Sequence, residues 1–194
     1  IGSLGSDLDP IVAHHNLLGK PYIMFGSSLG ATVILDAMSR NKIDPSYSIL
    51  IGPNAEFKAP WFWILIARIT PPFLYHIIKP LVKWYMKKHY LDTDSDSDQY
   101  LKYVRYLDEA NPSRMSRSAL QFAKYKIWDR LGNIHQKVLI FTGSKDVMHG
   151  YEDTLNMAES LSICDLVDLE TNARTHSVEM VNQMRSYLKE KNHV

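Results

Sequence analysis

Short apolar runs alternate along this chain with stretches of helical period. Asp7 to Leu18 places Leu8, Ile11, Val12, His15 and Leu18 near an i, i+3, i+4, i+7 spacing. That spacing predicts a helix capped by Ser6 or Asp7 and stopped by Gly19. Pro21 to Phe25, bounded by Gly19 and Gly26, reads as a strand buried on both faces. A second helix is expected over Leu29 to Met38, and further buried strands over Tyr47 to Ile51 and Val138 to Thr142. Leu166 to Leu169 predicts a fourth strand. Ser177 to Lys191 predicts a terminal helix with Val178, Val181, Met184 and Leu188 on one face. Such alternation implies an α/β fold, a mostly parallel sheet flanked by helices. Asn54 to Asn133 breaks the pattern with helical periodicity throughout. The expected organisation is a core part over 1–53, a helical cap or lid insertion over 54–133 above the carboxyl ends of the strands, and a second core part over 134–194.

Composition narrows the partners. The 194 residues, 45% of them hydrophobic, suffice for one globular domain with a substantial core. A net charge of +1, from 22 basic and 21 acidic side chains, provides no global field for nucleic acid. Cys164 is the only cysteine, which excludes an intrachain disulfide and a Cys-rich zinc site. It suits a cytoplasmic location, and no signal-peptide pattern follows Ile1. The uncharged runs Ala59 to Ala67 and Ile69 to Ile78 fall short of the roughly twenty residues a bilayer span requires. Lys79, Lys83, Lys87 and Lys88 beside Trp84 and Tyr85 offer a membrane-surface contact, but a lid whose apolar face covers a pocket is the favoured reading. Asp92 to Asp98 tempts a calcium reading. An EF-hand loop needs Gly and Glu where this chain has Ser97 and Tyr103, so a solvated acidic loop is expected. No metal and no cofactor is expected, and nothing in the pattern specifies an oligomeric state.

The chemistry gathers at Gly26-Ser27-Ser28-Leu29-Gly30, a G-x-S-x-G motif between a predicted strand and a predicted helix. There Ser28 sits on a tight turn, with two glycines removing side chains that would collide with neighbouring backbone. The helix N-terminus behind it, through the N–H of Leu29, can hold a developing oxyanion. A serine hydroxyl needs a base and an orienting carboxylate. Asp146, after the Val138 to Thr142 strand, and His176, in the loop before the last helix, follow in the order Ser, Asp, His. His149 stands too near Asp146 along the chain to be the first choice, though it can line the site. The plainer readings are Ser28 as a turn residue and Asp146 as a helix cap.

These motifs resemble the α/β-hydrolase family, in its lidded, esterase- and lipase-like branch, over nearly the whole chain. The likeness includes the elbow at Gly26 to Gly30, the insertion after Gly52, Asp129 to Ile134 leading into the next strand, Gly143-Ser144-Lys145-Asp146, and the terminal histidine loop and helix. The resemblance implies Ser28 as nucleophile, Asp146 as acid and His176 as base, with Glu56 as reserve acid. Members of the family carry further strands before the elbow, and one of their loops supplies a second oxyanion N–H. An N-terminal truncation is therefore expected, with an uncovered first strand and little activity for these 194 residues.

The expected function is hydrolysis of a small apolar carboxylic ester through an acyl-enzyme, with Trp61, Phe62 and Trp63 at the pocket wall. Carbon–carbon bond hydrolysis and acyl transfer stay open, since one triad serves all three. A non-catalytic binding protein on the same fold is the alternative. A lipid-surface protein working through Arg68 and the Lys79 to Lys88 cluster is a third reading.

Overall fold

Among the described residues four strands form one parallel sheet in chain order: β1 (Ile23–Ser27), β2 (Tyr47–Ile51), β3 (Lys137–Thr142) and β4 (Cys164–Asp168). The computed structural model describes residues 5–58, 60–89, 97–146 and 149–190. Phe25 lies beside Ile49, Ile49 beside Leu139 and Leu139 beside Asp165, so the carboxyl ends of all four strands fall at one edge. Loops leaving that edge are where parallel sheets collect functional side chains.

All five residues of β2 are buried, as is β3 beyond Lys137. Strand β1 differs from the expectation of burial on both faces: Ile23 is 39% and Phe25 53% exposed. Among the described strands it pairs with β2 alone, so its other edge is unpaired. Strand β4 begins two residues before the predicted start, at Cys164 opposite Val138. It is the other edge, and its half-exposed alternation tolerates Asp165.

The chain divides into two compact units, one of residues 1–55 with 127–194 and the other of 56–126. In the first, α1 (Leu8–His14) ends earlier than predicted. Asn16 adopts φ +53 and the N–H of Leu17 reaches back to the Val12 carbonyl, so the stop falls at Asn16 rather than Gly19. Helix α2 (Leu29–Ser39) is buried from Ala31 onward. Its Asp36 carboxylate, wholly buried, receives Arg40 Nε at 2.9 Å and Arg130 Nη2 at 3.1 Å. That ion pair ties the 3-10 turn Trp128–Asn133 to α2, so residues 127–133 pack with the sheet unit.

The second unit consists of α3 (Trp61–Ile69), a 3-10 turn at Pro72–Leu74, α4 (Tyr75–His89), α5 (Ser97–Glu109) and α6 (Pro112–Phe122). Asn111 caps α6 by accepting from Arg114 N–H, with Pro112 in the first turn. None of the described helices is long and apolar enough to cross a membrane. Lys79 and Lys83 both bind the Asp108 carboxylate, so half of the expected basic cluster is paired. Most of the acidic loop, residues 90–96, lies outside the described residues.

Back in the first unit come α7 (Tyr151–Ser160), the short α8 (Asn172–Thr175) and α9 (Val178–Glu190). Met180 and Leu188 of α9 are buried against Tyr47, Ile49, Ile51, Leu139 and Phe141, with Val181, Met184 and Tyr187 beside them. Val178, expected on that face, is 75% exposed, because it stands about 200° of helical arc from Met180.

Candidate functional site

Ser28 joins β1 to α2 at φ +51 and ψ −116, a conformation that side chains other than glycine rarely adopt. Three bonds hold it there. Its N–H donates to the Ile51 carbonyl at 2.7 Å, and its carbonyl accepts both the Thr32 N–H and the Thr32 hydroxyl. Gly26 permits the bend, since a Cβ there would meet Ile34 Cδ1 at 2.6 Å and Ala31 N at 2.8 Å. Gly30 departs from expectation: a Cβ would touch nothing within 4 Å, so only the first motif glycine relieves a collision. Leu29 opens α2, and its N–H has no acceptor within the helix.

Two serine hydroxyls each meet an imidazole. Ser28 Oγ lies 3.2 Å from His149 Nε2, and His149 Nδ1 lies 2.9 Å from Asp146 Oδ2. A carboxylate only accepts, so Nδ1 carries the proton and the Nε2 lone pair faces the Ser28 hydroxyl. His149 is 8% exposed, which shelters this line of bonds from bulk water. Gly52, at φ +52, makes room for the ring: a Cβ there would stand 3.1 Å from its carbons.

His176 takes a different partner from the one the sequence suggested. Its Nε2 lies 2.9 Å from Ser27 Oγ, while Nδ1 lies 3.0 Å from the Asn172 carbonyl and 3.1 Å from Thr175 Oγ1. By the same accounting Nδ1 donates to Asn172 and Nε2 accepts from Ser27. The structure thus joins Ser28 and Asp146 through His149 and sets His176 on the neighbouring hydroxyl. Both rings and Asp146 line one small cleft with Ile51, Gly52 and Phe141. Sequence reasoning placed His149 behind His176, as a residue that can line the site, and gave Ser27 no role. The Asp-x-x-His spacing within one loop was the available signal, because a tight turn can bring those two side chains together.

The loops carrying these groups are fastened to each other. Asp146 N–H closes a turn on the Gly143 carbonyl, and Lys145 N–H reaches the Glu170 carbonyl at 2.7 Å. A Cβ on Gly143 would stand 3.0 Å from Thr171 backbone, so any other residue would press the two loops apart by a few tenths of an ångström. Asp168 Oδ1 accepts the N–H groups of Ser144 and Glu170. Burial pushes the Asp168 carboxyl up, yet the Ser144 hydroxyl, the two N–H groups and the Lys145 charge together outweigh it and hold the group below the usual carboxylate range. The N-cap of α7 is Gly150, so Asp146 does not hold the capping position. Glu56, the reserve acid, pairs with Lys58 and Lys126.

The aromatic candidates belong to the helical unit. Trp61 is 74% exposed, and Phe62 and Trp63 pack on Tyr85 with ring centroids 5.9 and 5.1 Å away. Of the three, Trp63 lines an apolar cavity of about 270 Å³ inside that unit. Among the described residues no cluster of His, Cys, Asp or Glu has the arrangement of a metal site.

Known structures share this fold. An esterase from Thermogutta terrifontis is 16% identical with a TM-score of 0.69, the match covering 95% of this chain and 70% of that one. MenH from S. aureus is 20% identical with a TM-score of 0.68, covering 97% and 74%. The enol-lactonase from Burkholderia xenovorans LB400 is 12% identical with a TM-score of 0.63, covering 88% of this chain and 65% of that one. This chain therefore spans about two thirds to three quarters of the length of these structures. No curated protein matches it in sequence. Residues 4–173 match the hydrolase family described as serine aminopeptidase, S33. With a parallel sheet, a strained serine at the first strand-to-helix bend and that match over most of its length, the chain belongs to the serine aminopeptidase S33 family of α/β-hydrolases.

Proposed function

We propose that this chain carries the reactive centre of a serine hydrolase that cleaves a carboxylic ester with an apolar acyl or alcohol part. One observation carries the reading: the Ser28 hydroxyl, on a strained bend, contacts an imidazole whose other nitrogen meets a carboxylate. In this scheme His149 Nε2 takes the Ser28 proton as Oγ attacks the ester carbonyl, and Asp146 orients the ring and balances its positive charge. The N–H of Leu29, at the positive end of α2, donates to the oxyanion. Collapse expels the alcohol, which receives the proton from His149. Water, giving its proton to the same imidazole, then attacks the acyl carbonyl, and the bond to Ser28 Oγ breaks as Oγ takes that proton back. The scheme uses no cofactor. Structural neighbours described as an esterase and an enol-lactonase agree with acyl transfer to water. The same groups also serve carbon–carbon bond hydrolysis or transfer to another acceptor.

A second reading keeps His176 as base, as the sequence resemblance implies. It is favoured by one observation: His176 lines the same cleft as Asp146 and binds the hydroxyl adjacent to Ser28. Labelling by a fluorophosphonate, read by mass spectrometry, separates the two. Ser28→Ala should abolish labelling. His149→Gln should slow it by roughly a hundredfold or more, the usual size of a lost general base. Slowing confined to His176→Gln would transfer the role to His176. Folded protein that never labels would overturn the hydrolase reading and leave a binding protein on this fold.

A further inference from the structure

The apolar cavity of the helical unit has no part in the Ser28 scheme. Trp63, Ile66, Ala67, Ile78, Val82 and Met115 form most of its wall. Two of its polar neighbours are occupied: the Tyr75 hydroxyl donates to the Leu107 carbonyl at 2.8 Å, and the Ser116 hydroxyl donates to the Ala67 carbonyl. Most of what faces the space is hydrocarbon. At about 270 Å³ it is nearly twice the roughly 150 Å³ of a dry cavity able to take benzene. Allowing about 30 Å³ for each water-sized group, it holds roughly nine methylenes.

Cations stand beside this wall. Lys79 Nζ lies 5.4 Å from the ring centre of Tyr75, a wall residue, and 3.2 Å from Asp108 Oδ1, next in the chain to the wall residue Leu107. Lys83 binds the same carboxylate at 2.7 and 2.8 Å. Both lysine side chains are mostly covered, at 14% and 24% exposure. Among the described residues two ammonium groups share one carboxylate, so a positive charge is left over there. Consistent with this, the hydrogen bonds from Lys83 and Lys79 hold the Asp108 carboxyl below the usual range.

We infer that residues 56–126 bind an unbranched alkyl carboxylate of about ten carbons, with its chain in this cavity and its head on Lys79 and Lys83. The cavity volume and apolar wall select the chain, and the surplus cation selects an anionic head over a neutral one. The site does not rest on the Ser28 chemistry, and Ser28→Ala should bind identically.

The test uses the full chain with decanoate, decanol and acetate, followed by calorimetry and by ¹³C-methyl spectra of methionine. Saturable decanoate binding that moves the Met115 methyl is expected, with decanol weaker by about tenfold, the worth of one charge-assisted hydrogen bond. Lys79→Gln combined with Lys83→Gln should reduce decanoate to the level of decanol. Asp108→Asn should tighten decanoate, because it removes the competing carboxylate; an unfolded variant cannot produce that gain. Ala67→Phe should fill the space and abolish binding of both ligands. Decanoate that fails to saturate, binds without moving Met115, binds no better than decanol, or ignores Asp108→Asn would overturn the proposal.

Discussion

Gly52→Ala tests whether His149 is the working base. Gly52 follows β2 at φ +52, where an alanine costs about 1–2 kcal/mol of backbone strain. Its new Cβ would also stand 3.1 Å from Cγ and Cδ2 of His149 and 3.2 Å from Nδ1. Those contacts are tighter than normal packing, so the ring must retreat by a few tenths of an ångström. The total, about 2 kcal/mol, lies well under the roughly 5–15 kcal/mol that hold a domain together, and the variant should fold. For a chain of this size the melting temperature should fall by about 4–8 °C. The chemical effect should be larger. A small retreat lengthens the 3.2 Å contact between Ser28 Oγ and His149 Nε2 beyond hydrogen-bonding range. Fluorophosphonate labelling of Ser28 should slow by roughly tenfold to a hundredfold, a part of what complete loss of a general base removes. Melting curves and labelling time courses on the same preparations give both numbers. Labelling at the unaltered rate, alongside the expected drop in melting temperature, would refute the role given to His149.

Ser28→Gly should abolish labelling while raising the melting temperature by about 2–12 °C, because glycine relieves a backbone conformation that costs a side-chain-bearing residue about 1–3 kcal/mol. A fall in stability would show that the bend is unstrained. Asp168 has a folded pKa below its unfolded value, so its stabilisation is complete above the ordinary carboxylate range and is lost as pH falls through the folded value. Urea titrations between about pH 2 and 6 should therefore show acid destabilisation that Asp168→Asn makes shallower. Burial pushes the Cys164 thiol up to about 12, with Asp165 adding to the shift. Iodoacetamide at pH 8 should leave it unmodified in the folded protein and alkylate it in urea; equal rates in both would contradict the burial.

Local pattern determined much of this protein. Strand β2 needed only Tyr47 to Ile51, five residues of β-forming or small character between turn signals, and it is buried throughout. The bend at Ser28 was equally legible, because Gly26 and a strand-to-helix boundary leave one backbone path. Family membership follows from the same motifs, and residues 4–173 match it. Other features depend on contacts between segments far apart in the chain. Phe25 looks like core in sequence, yet it is 53% exposed on β1, which pairs with β2 alone among the described strands. Val178 has the character of a core residue, but the phase of α9 turns it outward. The pairing of serines with histidines is the clearest case. Sequence order proposes a histidine for Ser28, whereas Gly52, the turn at Gly143 and the Asn172 carbonyl set where each imidazole points. A hydrogen bond requires its partners within about 3.5 Å and in line. Chain spacing constrains such geometry only inside a single turn, as for Asp146 and His149. Across the sheet edge, the packed loops alone decide it.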